Sequence, residues 1–233
     1  MSNDEKFITE NINAVREQVK LAAERVGRNP SDVTILAVTK TVDVEKIGYA
    51  LNAGIKDIGE NRVQELLKKY DQLHGKANIH FIGHLQTNKV KDIVNKVDII
   101  HSIDSIKLAS ELQKQAERFD SQFNALIQVN VSMETTKNGI GAADVSEFLN
   151  TMKALSRIKV KGFMTIAALN STPYEKRQVF RCLYQIFVDS KLKKNNNIDM
   201  EYLSMGMSND YVTAVEEGAN IIRLGTAIFG ERR

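Results

Sequence analysis

The stretch TILAVTK (34–40) is a short, almost continuously apolar run that ends in a lysine. Similar runs recur along the chain, with amphipathic stretches such as RVQELLKKY and SIKLASELQKQAERF between them. In order, the runs are TILAVT (34–39), KDIG (56–59), IHFIG (79–83), VDIIHSI (97–103), NALIQVNV (124–131), KVKGFMTI (159–166), MEYLSM (200–205) and NIIRLG (220–225). Strands that are apolar along their whole length are typical of a parallel sheet covered by helices on both faces. This alternation predicts an α/β fold, a single (β/α)8 barrel of the TIM type.

An extra helix is expected before the first strand. Apolar residues in the opening segment alternate at spacings of four and three, which places on one helix face Ile8, Ile12, Val15, Val19, Ala22 and Val26. Gly27 and Pro30 then favour an end to this helix. A doubly wound open sheet is the alternative architecture, but the first strand-to-helix turn, VTKTVD, lacks the glycine-rich dinucleotide fingerprint.

The composition is that of an ordinary globular protein of 233 residues, and we expect one domain over residues 1–233. A net charge of +3 is too balanced to indicate a nucleic acid or an anionic membrane as partner. The single cysteine, Cys182, excludes an intrachain disulfide, and its amphipathic surroundings predict a packed thiol. Because the N-terminus is polar and no run of 18 apolar residues occurs, we expect a cytoplasmic protein.

Residues at the C-terminal ends of the strands are the candidates for function, since the loops of that face build the sites in this fold. Lys40 follows the first run and would leave a buried strand at the barrel mouth. A lysine in such a place can offer a free amine to a carbonyl compound. A solvated lysine in a turn is the alternative.

The seventh and eighth runs end in SMGMSND and RLGTAIFG, which are rich in glycine, serine and threonine. Glycines let the backbone approach a ligand, and hydroxyls together with backbone amides bind phosphate oxygens. The candidate ligand-binding residues here are Met205, Gly206, Ser208, Gly225 and Thr226, with ordinary turn glycines as the alternative. Together with the lysine of the first run they predict a phosphate-bearing carbonyl ligand, and pyridoxal 5′-phosphate (PLP) is the obvious candidate.

Two further side chains complete the candidate cofactor site. Near a pyridine nitrogen, the fixed charge of Arg223 would disfavour ring protonation and weaken the cofactor as an electron sink; a structural ion pair is the alternative. Asn61, after the second run, can hydrogen-bond the cofactor, cap the following helix, or do both.

No metal site is expected, because the histidines show no metal-ligand spacing with carboxylates; they are His80, His84 and His101. Lys137, after the fifth run, lies on the face that could meet a ligand, although such a lysine is more often solvated.

Nine motifs occur in order along nearly the whole chain: AVTK (37–40), GENRVQE (59–65), HFIGHLQTNK (80–89), HSID (101–104), QVNVS (128–132), KNGI (137–140), GFMTIA (162–167), LSMGMSND (203–210) and IRLGTAIFGER (222–232). This ordered set resembles the pyridoxal phosphate homeostasis protein family, which is similar to the N-terminal barrel of alanine racemase. The resemblance implies a fold-type III PLP protein in which PLP forms a Schiff base with Lys40. It places Arg223 at the pyridine nitrogen and Asn61 beside the cofactor, and it assigns to the phosphate Ser208, Gly225 and Thr226.

Departures from the family pattern are small. The family often has an aromatic residue where this chain has Ile79, and a proline where it has Ala168. Neither position belongs to the lysine motif or to the phosphate loops.

The resemblance implies a non-catalytic PLP carrier or regulator in intracellular vitamin B6 homeostasis, with apo PLP-dependent enzymes as acceptors. The alternative is a fold-type III enzyme such as an amino-acid racemase. Racemisation needs a base on each face of the substrate, and alanine racemase takes one of them from a C-terminal β-domain. This chain ends at Arg233, after the loop of the eighth run, so we expect no such domain and no catalytic residues. A third alternative is an enzyme that uses Lys137 or a histidine as second base. We also expect a monomer.

Overall fold

The computed structural model describes residues 1–132, 138–168, 170–192 and 195–231. Its strands are β1 (Thr34–Val38), β2 (Asp57–Glu60), β3 (Asn78–Phe81), β4 (Ile99–Ile103), β5 (Phe123–Asn130), β6 (Ile140–Gly141), β7 (Ile158–Met164), β8 (Ile198–Met207) and β9 (Ile221–Leu224). Every predicted run overlaps one of these strands. The two-residue strand β6, which pairs with the end of β5, has no counterpart among the predicted runs.

The strands other than β6 form a closed ring. β1 pairs with both β2 and β9, and the ring continues from either side until β4 pairs with β5. All of these pairings are parallel. The predicted closed barrel of eight parallel strands is therefore confirmed. The open-sheet alternative is wrong, because an open sheet would leave β4 and β5 as unpaired edges.

Helices follow the strands and cover the ring from outside. They are α1 (Asn3–Arg25), α2 (Val44–Asn52), α3 (Val63–Leu73), α4 (Val90–Ile93), α5 (Ile106–Arg118), α6 (Val145–Met152), α7 (Pro173–Lys191), α8 (Tyr211–Glu216) and α9 (Thr226–Phe229). Short 3-10 turns occupy Pro30–Asp32, Thr87–Lys89 and Ala142–Asp144. Buried side chains recur at helical spacing within the longer helices, as at Leu108, Leu112 and Ala116 of α5, so each helix packs one face on the sheet.

The extra N-terminal helix is confirmed as α1, which lies against α2, α8 and α9. Its buried face includes five of the six predicted residues, Ile8, Ile12, Val15, Val19 and Ala22. Val26 is the exception and is 44% exposed, because the helix ends at Arg25 and Val26 is its C-cap. Gly27 follows with a φ of 69°, a left-handed conformation that stops the helix.

The apolar core has two parts. A large cluster between sheet and helices includes strand residues such as Ala37 and Ile58. A separate small cluster consists of Leu36, Val38 and Ile221, with Ile82 and Tyr202 packed against it. Successive side chains of a strand face opposite sides, so this small cluster, which alternates with Ala37, fills the inside of the barrel.

Cys182 is exposed on α7, so the predicted packed thiol is wrong. The buried face of that helix carries Phe180, Leu183 and Phe187, and a residue two positions after Phe180 points away from this face. In the part of the chain that the structure describes, no helix is both long and apolar enough to cross a membrane.

Two glycine-to-alanine changes should shift stability in opposite directions. A Cβ added to Gly59 would lie 2.5 Å from Leu36 Cδ2 and 2.9 Å from Ile82 Cδ1 inside the barrel, and such overpacking costs about 1–3 kcal/mol. Gly48 lies within α2, and a Cβ there would meet nothing within 4 Å, so Gly48→Ala should stabilise by roughly 0.5–1 kcal/mol. Urea unfolding measures both variants. Equal effects of the two changes would contradict the inward position of Gly59.

Candidate functional site

A cavity of about 200 Å³ lies at the C-terminal ends of β1, β8 and β9. These three strands are neighbours in the ring, so residues from distant parts of the chain meet there. The cavity is lined by Val38, Lys40, Ala167, Lys176, Met207, Ser208, Asn209, Asp210, Arg223, Gly225 and Thr226. The structure thus brings together five of the eight residues that the sequence predicts for the cofactor, Lys40, Ser208, Arg223, Gly225 and Thr226.

Lys40 is half-buried, and the residue before it is held by a buried polar network. The hydroxyl of Thr39 donates to Glu60 Oε1 at 2.7 Å, and its carbonyl accepts from Lys69 Nζ at 2.8 Å. Lys69 Nζ also lies 2.8 Å from Glu60 Oε1, whose side chain is 1% exposed. An ion pair this deeply buried is costly to break, so it fixes the backbone from which Lys40 projects.

The residue after Lys40 is held by the same network. Thr41 has a φ of 58°, a left-handed conformation that a β-branched residue rarely adopts. Its N–H donates to Glu65 Oε2 at 2.7 Å, and Lys69 Nζ lies 3.7 Å from that carboxylate oxygen. Such a conformation costs on the order of 1–3 kcal/mol and persists only where the surroundings impose it. Lys40 is therefore positioned from both sides.

The loop after β8 forms the opposite wall of the cavity. The buried carboxylate of Asp210 accepts from the Met207 N–H at 2.6 Å, which folds the loop back on itself. Ser208 Oγ accepts from the Ala227 N–H at 3.2 Å and so ties this loop to α9. Both Ser208 and Thr226, the first residue of α9, line the cavity.

Arg223 is buried beside the cavity with both ends of its guanidinium paired. Nη1 donates to Ser204 Oγ at 2.7 Å, and Nη2 donates to the Thr165 carbonyl at 2.9 Å. Both acceptors are uncharged, which argues against the structural ion pair considered from the sequence. Burial lowers the pKa of Arg223 to about 10, with the charge of Asp210 acting in the opposite direction. The side chain is therefore a cation at neutral pH.

The other three candidate residues lie outside the cavity lining. The side chain of Met205 is completely buried in the outer apolar cluster. Gly206 has a φ of 92°, and a Cβ there would approach Ala214 Cβ to 2.5 Å, so this glycine lets β8 pack closely on α8. Both residues offer only backbone groups to a ligand.

Asn61 follows β2 and is half-buried. The residue preceding α3 is Arg62, so the helix-cap role considered for Asn61 is wrong. Asn61 Oδ1 is buried and has no hydrogen-bond partner among the described residues. A buried acceptor without a partner is costly, and it fits a ligand that would donate to it.

Lys176 and Asp210 are cavity residues that the sequence reasoning missed. Lys176 Nζ lies 3.9 Å from Asp210 Oδ2, and the lysine side chain is 14% exposed. A signal for Lys176 exists in the stretch Thr172-Pro-Tyr-Glu175, because Thr172 and Glu175 form a capping box that begins α7. A helix that begins there places its first turn at the C-terminal end of the barrel.

The charges of the cavity suit an anion. Three cationic side chains, Lys40, Lys176 and Arg223, face one carboxylate, Asp210, and two hydroxyls are close by. This donor set, with the unpaired acceptor of Asn61, fits a phosphorylated ligand that carries a carbonyl. Lys137 lies outside the described residues. Within the described ranges, no group of three or more histidine, cysteine or carboxylate side chains could hold a metal ion.

Comparison with known sequences gives a consistent result. Residues 11–233 match the family described as "Alanine racemase, N-terminal domain". A pyridoxal phosphate homeostasis protein of Aquifex aeolicus is 43% identical over 225 residues, which cover 96% of this chain and 98% of that protein.

Solved structures share the fold. The structure of PipY from Synechococcus elongatus with PLP bound superposes with a TM-score of 0.83 at 31% identity and covers 96% of this chain and all (100%) of that one. An alanine racemase from Streptomyces lavendulae gives a TM-score of 0.74 at 16% identity, over 98% of this chain and 58% of the racemase. At that identity the racemase likeness concerns the fold alone.

Proposed function

Because this chain belongs to the pyridoxal phosphate homeostasis protein family, we propose that it binds PLP in the cavity between Lys40 and Arg223 and serves as a PLP carrier. The observation that carries the proposal is that Lys40, two hydroxyls and Arg223 line one cavity. PLP supplies an aldehyde that forms a Schiff base with an amine and a pyridine ring that can take up electrons. Lys40 is the amine in this proposal.

Ser208, Thr226 and the backbone of Gly225 hold the phosphate. Hydroxyl and amide donors at the ends of the last two barrel strands are the usual phosphate site of this fold. Lys176 adds a nearby positive charge that favours the phosphate over an uncharged group of the same shape.

Arg223 faces the pyridine nitrogen in this arrangement, and Asn61 accepts from the cofactor. Because the guanidinium is a cation at neutral pH and can only donate hydrogen bonds, it disfavours a proton on that nitrogen. A ring without this proton takes up electrons poorly, which suits storage of the cofactor better than chemistry on an amino acid.

The exposed rim of the cavity is consistent with release of the bound cofactor. Asn209 and Thr226, two of the lining residues, are exposed to solvent. Water or an incoming amine can therefore reach a ligand bound to Lys40. Apo PLP-dependent enzymes are the proposed acceptors, and the single cysteine is in keeping with a cytoplasmic location.

Reduction with borohydride should fix PLP to Lys40. Peptide mass analysis locates the adduct, and Lys40→Ala should abolish it together with the absorption band of the Schiff base. Lys176→Ala is the matched control, because Lys176 lines the same cavity and should leave the adduct in place. An adduct on Lys176 or elsewhere in the wild-type protein would refute the assignment.

Ser208→Ala and Thr226→Val should each weaken binding of PLP much more than binding of pyridoxal. A hydrogen bond to a charged group contributes about 1.5–3 kcal/mol, so the affinity for PLP should fall roughly 10- to 150-fold. Equilibrium titration with both ligands measures the difference. Thr151→Val, on the exposed side of α6, is the control. Equal losses for the two ligands would remove both hydroxyls from the phosphate site.

The PLP-loaded protein should activate an apo PLP-dependent enzyme in a mixing assay and should itself turn over no common amino acid. Racemisation, decarboxylation and transamination are the reactions to assay, and Lys40→Ala should change the transfer. A wild-type turnover of roughly 1 s⁻¹ or more, within the range of ordinary enzymes, would rule out the carrier function.

A further inference from the structure

A chain of hydrogen bonds runs through the inside of the barrel and ends at Arg223. Asp57 Oδ1 lies 3.1 Å from His80 Nε2, and His80 Nδ1 lies 2.9 Å from His101 Nε2. His101 Nδ1 lies 3.0 Å from Ser204 Oγ, which accepts from Arg223 Nη1 at 2.7 Å. Each of these residues comes from a different strand: β2, β3, β4, β8 and β9. We call these five residues the barrel relay.

The barrel relay connects two cavities at opposite ends of the barrel. Asp57 is the first residue of β2 and lines a cavity of about 340 Å³ together with Thr34, the first residue of β1. Arg223 lines the cavity of Lys40, at the other end of the strands. The three relay residues in between are at most 2% exposed.

The two ends of the relay fix the direction of its hydrogen bonds. Arg223 can only donate. Burial alone would raise the pKa of Asp57, but hydrogen bonds from His80 and a neighbouring asparagine outweigh it and lower that pKa, so the ionised carboxylate only accepts. His80 therefore donates from Nε2 and accepts at Nδ1 from His101 Nε2–H. His101 in turn accepts at Nδ1 from the Ser204 hydroxyl, and both neutral rings carry their hydrogen on Nε2.

One added proton reverses two hydrogen bonds of the relay, the one between His80 and His101 and the one between His101 and Ser204. When His80 carries hydrogen on both nitrogens, its Nδ1–H donates to His101 Nε2, and His101 holds its own hydrogen on Nδ1. Ser204 then accepts from both His101 and Arg223, and its own hydroxyl hydrogen loses the acceptor that His101 Nδ1 provides in the neutral state. The two states differ by one proton and by the direction of the hydrogen bonds around His101.

His101 is neutral in both states. Burial, and after it the charges of His80 and Arg223, hold the pKa of His101 well below its ordinary value. The added charge therefore stays on His80, next to the carboxylate of Asp57. Further charged groups near the relay are Lys56 beside Asp57, Asp98, which accepts from the Ile79 N–H at the start of β3, and Asp210 near Arg223.

We propose that the barrel relay positions Arg223 for the cofactor and makes this position depend on a proton bound at the opposite end of the barrel. The inference rests on the proposed function, because it takes PLP as the ligand that Arg223 faces. In the neutral state the Ser204 oxygen accepts from Arg223 alone. In the protonated state His101 competes for the same oxygen, so Arg223 is held less firmly. Asp57, His80, His101 and Ser204 are thus positioning residues that act through Arg223.

The first experiment needs no cofactor. Nitrogen NMR of the apo protein with labelled histidine side chains distinguishes a ring nitrogen that carries hydrogen from one that does not. We expect hydrogen on Nε2 of both His80 and His101 above about pH 8, where an ordinary histidine is neutral. When the relay takes up a proton at lower pH, His101 should change to the Nδ1–H form.

Asp57→Asn should move this change to lower pH, because the carboxylate no longer stabilises the protonated form of the relay. The side chain of Asp57 is partly exposed, so this variant disturbs the interior least. His84→Gln is the matched control, since His84 is exposed at the barrel mouth beside Asp104 and lies outside the relay. A His101 that keeps one tautomer at every pH at which the protein is folded would overturn the proposal.

The second experiment follows the same change at the cofactor. The absorption spectrum of the PLP-loaded wild-type protein should change with pH over the range in which His101 switches. Ser204→Ala disconnects Arg223 from the histidines, so it should abolish this dependence and weaken PLP binding about tenfold, the loss of roughly one hydrogen bond. Ser204→Thr keeps the hydroxyl and should restore the wild-type profile.

A pH profile that is the same in Ser204→Ala and wild type would overturn the proposal. If the tautomer change occurs but the wild-type protein takes up no PLP, the proton relay is supported and the proposed function alone fails.

Discussion

The pairing of β1 with β9 is the contact on which the rest of the structure depends. It joins the first strand of the barrel to the last, in parallel register from Thr34–Ile221 to Ala37–Leu224. Because the two strands run in the same direction, Lys40 and Gly225 reach the same rim although nearly the whole chain separates them. The cavity therefore forms only when the ring is closed. A ligand that binds there binds the folded state alone, and it stabilises the whole barrel by mass action.

Closing the ring creates an interior that the side chains must fill, and here they fill it with two kinds of group. One part is the small apolar cluster that contains Leu36 and Val38. The other part is polar and includes His101, Ser204 and Arg223, all buried. An unpaired buried charge costs several kcal/mol, and here Ser204 and the carbonyl of Thr165, directly after β7, accept hydrogen bonds from the guanidinium. Of the two hydrogen bonds that satisfy Arg223 in the interior, the one to Ser204 also connects it to the histidines.

The sequence predicted those features that depend on local burial. Short apolar runs identify eight strands, and spacings of three and four identify the buried face of α1, because each pattern reflects which side of an element meets the core. Side-chain direction near strand ends was not predictable in the same way. Met205 is a candidate ligand-binding residue in the sequence, yet it faces the outer core, and its neighbour Ser204 is the residue that faces the interior relay. The register between β8 and β9 is irregular after Ser204, so alternation counted along the sequence does not give the direction of a side chain there.

Local sequence patterns also do not predict contacts between elements that are distant along the chain. The sequence shows no relation between His80 and His101, because their hydrogen bond depends on the register in which His80 pairs with Ile99. Lys176 reaches the cavity because of where α7 begins relative to the barrel. The same limit applies to Lys69, which lies in the second turn of α3 and becomes important only because its amine reaches the carbonyl of Thr39. In each case the sequence gives the type of side chain, but the contacts that define its role form only when the ring closes.

A carrier and a racemase place opposite demands on such a cavity. Amino-acid chemistry on PLP requires a ring that takes up electrons and a site from which water is excluded. This cavity combines a lysine on a firmly held backbone with an open rim: Thr39 and Thr41 hold the backbone of Lys40 from both sides, while Thr226 is exposed. A backbone that is held in place reduces the entropy lost when a ligand binds, and an open rim admits water or an amine. In the proposed carrier these two properties depend on different residues: the network around Lys69 would serve capture of the cofactor, and the loops after β8 and β9 would serve its release.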